Sequence, residues 1–166
     1  MRQRNALGIE RRLKAVLVSA LKNLGIRNAE AAVFLVGGAD LRKMKTRLRV
    51  AEAHYGEAKA RYHKKKASRE VDPVRGREGS QRASASNGVD VLSFAEPKGF
   101  PHPESKKRFL GEIYLNRGLR SDFPRLAFLL IHGLLHLLGY THNKKSDTLK
   151  MQSLEKRLMR QVTSNK

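Results

Sequence analysis

The residues best suited to chemistry in this chain are histidines. Of six in 166 residues, three fall in one short run, His132-Gly-Leu-Leu-His136-Leu-Leu-Gly139-Tyr-Thr-His142. Residues four apart on a helix share a face, with Cβ atoms roughly 6 Å apart, so His132 and His136 are spaced to hold one metal ion between them. Gly139 lets the chain leave the helix in a left-handed turn, and His142 can then fold back to supply a third nitrogen. Three protein ligands leave the fourth position of a tetrahedral ion open, which distinguishes a catalytic zinc site from a closed structural one. A water in that position can have its pKa lowered toward about 7. The chain contains no Cys, so thiolate ligation is excluded and imidazole donors favour zinc, one Zn²⁺ per chain. Two core histidines bonded to backbone would account for a pair, but not for a third His at ligand spacing beyond a helix-ending Gly.

The same spacing matches the extended zinc motif H-E-x-x-H-x-x-G-x-x-H of metzincin peptidases, in which the Glu is the general base. That position is Gly133 here, so a standard peptide-hydrolysis mechanism lacks its base. Glycine inside a helix costs about 1 kcal/mol relative to Ala. A strand or substrate lying close to the metal would give Gly133 a packing reason.

The elements that must position these residues can be read from periodicity. Leu13, Val16, Leu17, Ala20, Leu21 and Leu24 form one apolar stripe, which predicts a helix over 7–24 with a basic outer face, stopped at Gly25. Ala31 to Val36 suits a strand buried on both faces, and a basic helix is expected from Ala39. Residues 50–87 are poor in large apolar groups and carry nine Lys or Arg against five acids, which reads as a long basic insertion in an otherwise single domain spanning 1–166. Val89–Phe94 and Phe109–Asn116 are strand-like and flank a Pro-rich turn. Asp122 and Pro124 mark the start of a helix that runs to Leu138 and is apolar on almost every face. Such a helix belongs in the middle of the core. A last amphipathic helix is expected over 146–161. The fold class is therefore α+β: a small mixed β-sheet packed against several helices, with a central buried apolar helix carrying two His ligands.

Thirty-five Lys and Arg against fifteen Asp and Glu leave a formal charge of +20, a balance that attracts polyanions. Nucleic acid is the first partner it implies. Aromatic residues make up only 6% of the chain and Trp is absent, so recognition by many stacked bases is not evident. The longest apolar stretch, Leu126 to Tyr140, is about five residues short of a membrane span. The basic amino terminus has its apolar positions split by Lys14, Ser19 and Lys22, as in an amphipathic helix rather than a leader. A cytoplasmic protein that engages no membrane is expected.

The run from His132 to His142 resembles the motif H-G-x-L-H-L-x-G-Y-D-H of the YbeY family of bacterial rRNA maturation factors, with Thr141 in place of the Asp. Val89-Asp90-Val91-Leu92-Ser93-Phe94 is similar to the family's T-D-V-L-S-F, Leu110-Gly111-Glu112-Ile113 is similar to L-G-D-I, and Met151 falls where the family has a Met in its final helix. The resemblance covers roughly the second half of the chain. It implies a zinc-dependent endoribonuclease acting on single-stranded rRNA in 16S 3′-end maturation and ribosome quality control, with rRNA and ribosomal particles as partners. The family's active-site Arg, in the pattern L-N-x-x-Y-R-G, aligns with Arg49, where Lys45 and Leu48 replace the Asn and Tyr and Arg47 is a neighbouring alternative. The stretch from Ile113 to His132 is shorter than in the family, which implies that a helix is missing there. Thr141 removes a carboxylate that could orient a ligand imidazole.

These readings combine into metal-assisted RNA cleavage with Asp90 and Glu112 as candidate bases. Two alternatives are a non-catalytic ribosome-assembly factor with a structural zinc and, less in keeping with Gly133, a metallopeptidase with an unusual base.

Overall fold

The computed structural model describes residues 2–49, 89–97 and 106–164. The chain divides into two units, Met1–Leu41 with Val89–Lys166, and Arg42–Gly88. In chain order the elements are α1 (Arg2–Asn23), β1 (Ala29–Val36), α2 (38–49), β2 (Val91–Ala95), β3 (Arg108–Asn116), a 3₁₀ turn (Arg117–Leu119), α3 (Phe123–Leu137) and α4 (Lys145–Ser164). The fold is α+β, as its pattern of alternating and helical periodicities implies. The insertion expected at 50–87 lies outside the described residues, as do Pro101 and Pro103 of the Pro-rich turn.

The sheet has the order β1-β3-β2, with β1 parallel and β2 antiparallel to the central β3. Alternation along β3 sends Ile113 and Leu115, both 0% exposed, toward the core. Glu112, Tyr114 and Asn116 point to the opposite face. Val33, Leu35 and Val91 pack with the core from the flanking strands, while Phe34 stacks on Tyr114 at 5.0 Å between ring centroids and Phe94 meets Tyr114 edge-on at 5.6 Å.

The apolar run in β1 suggests burial on both faces, yet β1 lies at the edge of the sheet and Phe34 is 40% exposed. Among the described residues its second apolar face is met by aromatic packing across the strands.

α3 is the centre of the larger unit. It packs against β2 and β3 on one side and against α1 and α4 on others, and Leu126, Ala127, Leu130, Ile131, Leu134 and Leu135 are all 0% exposed. Each fully buried leucine of this kind contributes about 1.5–3 kcal/mol. The buried stripe of α1, namely Leu13, Val16, Leu17, Ala20 and Leu21, is the one its periodicity predicts. Met151 and Leu158 bring α4 into the same core. Between β3 and α3 there is one short 3₁₀ turn, in keeping with a stretch too short for a further helix.

Both ends of α3 are set locally. Asp122 caps the start by accepting a hydrogen bond from the Arg125 backbone N–H at 3.1 Å, and Pro124 occupies the first turn, where its missing N–H costs nothing. At the far end the Gly139 N–H donates to the His136 carbonyl at 2.9 Å and the Tyr140 N–H to the Leu135 carbonyl at 3.0 Å. This pair of bonds is a Schellman cap, and it requires the left-handed φ of +90° that Gly139 adopts.

Candidate metal centre

His132 and His136 sit on successive turns of α3, and the Schellman cap determines what happens next. By turning the chain back it places the Tyr140 carbonyl 2.9 Å from Nδ1 of His136, so that Nδ1–H donates to it. It also returns His142 to the other two imidazoles. Ring centroids are separated by 4.6 Å for His132 and His136, 5.2 Å for His132 and His142, and 5.1 Å for His136 and His142. One nitrogen from each of the three lies within 4.8 Å of the others. The three His brought into one motif by sequence spacing are thus brought together in space, and they could hold a metal ion.

The donor set can be tested against that ion. Nδ1 of His136 is occupied by a carbonyl, and Nδ1 of His132 lies 2.8 Å from a carboxylate oxygen of Glu155. Nδ1 of each ring is thus engaged on its outer side, and the two Nε2 atoms face each other at 3.1 Å. Two imidazole nitrogens this close need a positive charge between them, a shared proton or a metal ion. Two nitrogens bound to one tetrahedral zinc at about 2.05 Å are about 3.3 Å apart, so the spacing fits the ion with little movement. The pKa of His136 is lowered from its usual 6.5, first by burial and then by repulsion from His132 and His142, with the Tyr140 carbonyl and Glu155 opposing. The neutral imidazole this favours is the form that ligates metal.

The surroundings explain Gly133 and remove the other candidate bases. A Cβ on Gly133 would lie 2.9 Å from Cγ2 of Ile113 and 3.5 Å from Cγ2 of Val91. The position that carries the base in peptidases is therefore pressed against the sheet. Asp90 is bound to the Asn116 amide and paired with Arg125 in the first turn of α3, roughly 10 Å along the helix from His132. It clamps the start of β2 to α3. Glu112 accepts the Tyr114 hydroxyl at 2.7 Å on the sheet face opposite α3. Neither carboxylate joins the imidazoles. Arg49 is an exposed residue at the end of α2, in the second unit, as is Arg47.

Two nearby residues escaped the sequence reading. Glu155 is 6% exposed on the core-facing side of α4. A carboxylate four residues after Met151 and three before Leu158, on the stripe those residues define, is the signal that could have found it. Phe128, one turn before His132, is 39% exposed although Leu126, Ala127, Leu130 and Ile131 around it on the helix are fully buried, and its ring centroid is 6.2 Å from that of His132. Thr141 is exposed.

Known proteins share this segment. The chain is 33% identical over 83 residues to the Endoribonuclease YbeY of Phytoplasma australiense, covering 45% of this chain and 57% of that protein. It is 37% identical over 85 residues to the Endoribonuclease YbeY of Roseiflexus sp. (strain RS-1), covering 43% and 53%. Against the protein of that name from Roseiflexus castenholzii it is 40% identical over 67 residues, covering 34% and 42%. The chain thus spans about half the length of the curated relatives it matches. The family model described as Endoribonuclease YbeY matches residues 80–163, from ahead of β2 into the last turn of α4. A match over half of the chain that takes in all three imidazoles and the strands behind them makes this chain a member of the YbeY family.

Proposed function

We propose that this chain is a zinc-dependent, single-strand-specific endoribonuclease acting in maturation of the 16S rRNA 3′ end and in ribosome quality control, in the cytoplasm and on rRNA in ribosomal particles. The observation that carries the reading is the convergence of His132, His136 and His142 on one point, with the Nδ1 atoms of the first two already engaged. The relatives' name and the formal charge of +20 support RNA as the polyanion. No described helix is long and apolar enough to cross a membrane.

Bound there, a zinc ion supplies a Lewis acid for a phosphate oxygen and a water of lowered pKa. His132, His136 and His142 would hold that ion. The exposed ring of Phe128 offers a flat apolar surface beside His132 on which an unpaired base can stack. Arg49 is assigned to charge developing on the phosphate, with Arg47 as its alternate. The chain acts as one domain, and its basic 50–87 insertion adds electrostatic attraction for RNA. The packing at Gly133 argues against the peptidase alternative, since a base on that side chain would meet Ile113 before it met the metal.

The test is cleavage of a labelled single-stranded RNA by zinc-loaded protein and by His136→Ala. Cleavage by the first alone supports the reading. Equal behaviour of the two, or cleavage of casein in place of RNA, rejects it.

A further inference from the structure

We propose that Glu155 is a positioning residue for the metal centre: its carboxylate, reaching in from α4, holds the His132 proton on Nδ1 and aims the Nε2 lone pair at the ion. The inference rests on the metal-site reading above and adds to it a residue outside the His motif.

Among the described residues Glu155 is the one buried charged side chain, 6% exposed between Met151 at 0% and Leu158 at 1%. A carboxylate is costly in such a place unless it is paired and hydrogen-bonded. Its partner is Nδ1 of His132, at 2.8 Å. The other nitrogen of His132, Nε2, faces Nε2 of His136 at 3.1 Å, on a ring whose Nδ1 is already bonded to the Tyr140 carbonyl. The two outer nitrogens are bonded to protein groups, and the two inner ones stand at a separation that one bound ion can bridge.

The outer partners differ in charge. His136 leans on a neutral carbonyl and His132 on an anion. Three neutral imidazoles do nothing to offset the double charge of a divalent ion, whereas one buried carboxylate behind a ligand reduces it and makes that ligand more basic. Thr141 stands where the motif of the family has an Asp, and it is exposed. The carboxylate support for the cluster therefore comes from α4, behind His132.

The experiment uses the full chain, its Glu155→Gln and Glu155→Leu variants, and His136→Ala as reference. Zinc affinity is measured by competition with a chromophoric chelator, the ligand field by the spectrum of the Co²⁺-loaded protein, and stability by thermal unfolding without metal. Glu155→Gln keeps shape and a hydrogen-bond acceptor but loses the charge, so about a 10-fold loss of zinc affinity is expected, with Glu155→Leu nearer 100-fold. A changed Co²⁺ spectrum is expected in both, with the metal-free unfolding midpoint of Glu155→Gln unchanged. Wild-type zinc affinity in Glu155→Gln overturns the proposal, whether or not its metal-free midpoint falls, because a purely structural contact would move the midpoint alone. If Glu155→Leu does not fold, Glu155→Gln still decides. Zinc affinity of the unaltered chain no higher than that of His136→Ala would reject the metal site itself and this inference with it, an outcome distinct from a variant that binds like wild type.

Discussion

Nε2 of His132 and Nε2 of His136 face each other at 3.1 Å across one turn of α3, each with its Nδ1 bonded on the far side. Neither ring can turn away without breaking an outer bond, so the pair is held ready for an ion rather than assembled by it. Removing one ring should therefore abolish binding instead of redistributing it. His136→Ala is expected to lower zinc affinity by more than about 100-fold, since loss of a supporting partner alone costs 10 to 100-fold. Elemental analysis after dialysis checks this. Because α3 is buried by apolar contacts that need no metal, chelation should remove activity while leaving most of the far-ultraviolet circular dichroism. Unfolding on chelation would favour the structural-zinc alternative.

Gly133 is pressed against Ile113. Adding a Cβ at 2.9 Å from a β-branched methyl that is itself fully buried forces the sheet or the helix to shift. Overpacking of this kind costs about 1–3 kcal/mol, and the better helix propensity of Ala returns up to about 1 kcal/mol. Gly133→Ala should lose about 1 kcal/mol in urea denaturation, with reduced RNA cleavage because His132 is its neighbour. A stabilised variant would show that the α3–β3 contact is looser than these distances imply.

Phe128 is 39% exposed and flanks the cluster. If a base stacks there, Phe128→Ala should raise KM for single-stranded RNA by roughly 5 to 150-fold, the equivalent of 1–3 kcal/mol. Phe128→Tyr should restore it, and zinc affinity should not change in either. An unaltered KM in Phe128→Ala would remove the ring from the substrate site.

Tyr114 reports on the far face of the sheet. Its pKa is raised from 10.0 to about 12, first by the hydrogen bond to Glu112, then by burial, then by the charge of that carboxylate. The folded value lies above the unfolded one, so the stabilisation is fully present below about pH 10 and is lost as pH rises through about 12. Spectrophotometric titration should find one of the four tyrosines ionising near pH 12, and Tyr114→Phe should eliminate that late step. Glu112→Gln should bring it back toward 10. A Tyr114 that titrates with the others would show that the Glu112 contact is not held in solution.

Much of this protein is legible in its sequence because much of it is local. The pairing of His132 with His136 follows from 3.6 residues per turn. The stop at Gly139 follows from the backbone freedom of glycine, and the start at Asp122 and Pro124 from capping chemistry. The strands flanking the Pro-rich turn and the buried stripe of α1 follow from their periods. The edge position of β1 did not follow, since a run of apolar residues has the same pattern whether a layer or a neighbouring aromatic ring covers its second face. Asp90 and Glu112 read equally as bases or as structural anions until their partners, Arg125 and Tyr114, were placed.

What tertiary structure alone decided is how the cluster is supported. Glu155 reaches His132 from 23 residues away along the chain, and Gly133 on α3 meets Ile113 on β3. Sequence determined which side chains could be ligands, because ligand spacing is a property of one helix and one turn. It left open which carboxylate stands behind them, because that depends on how α4 packs on α3, and packing at long range is decided by the whole core.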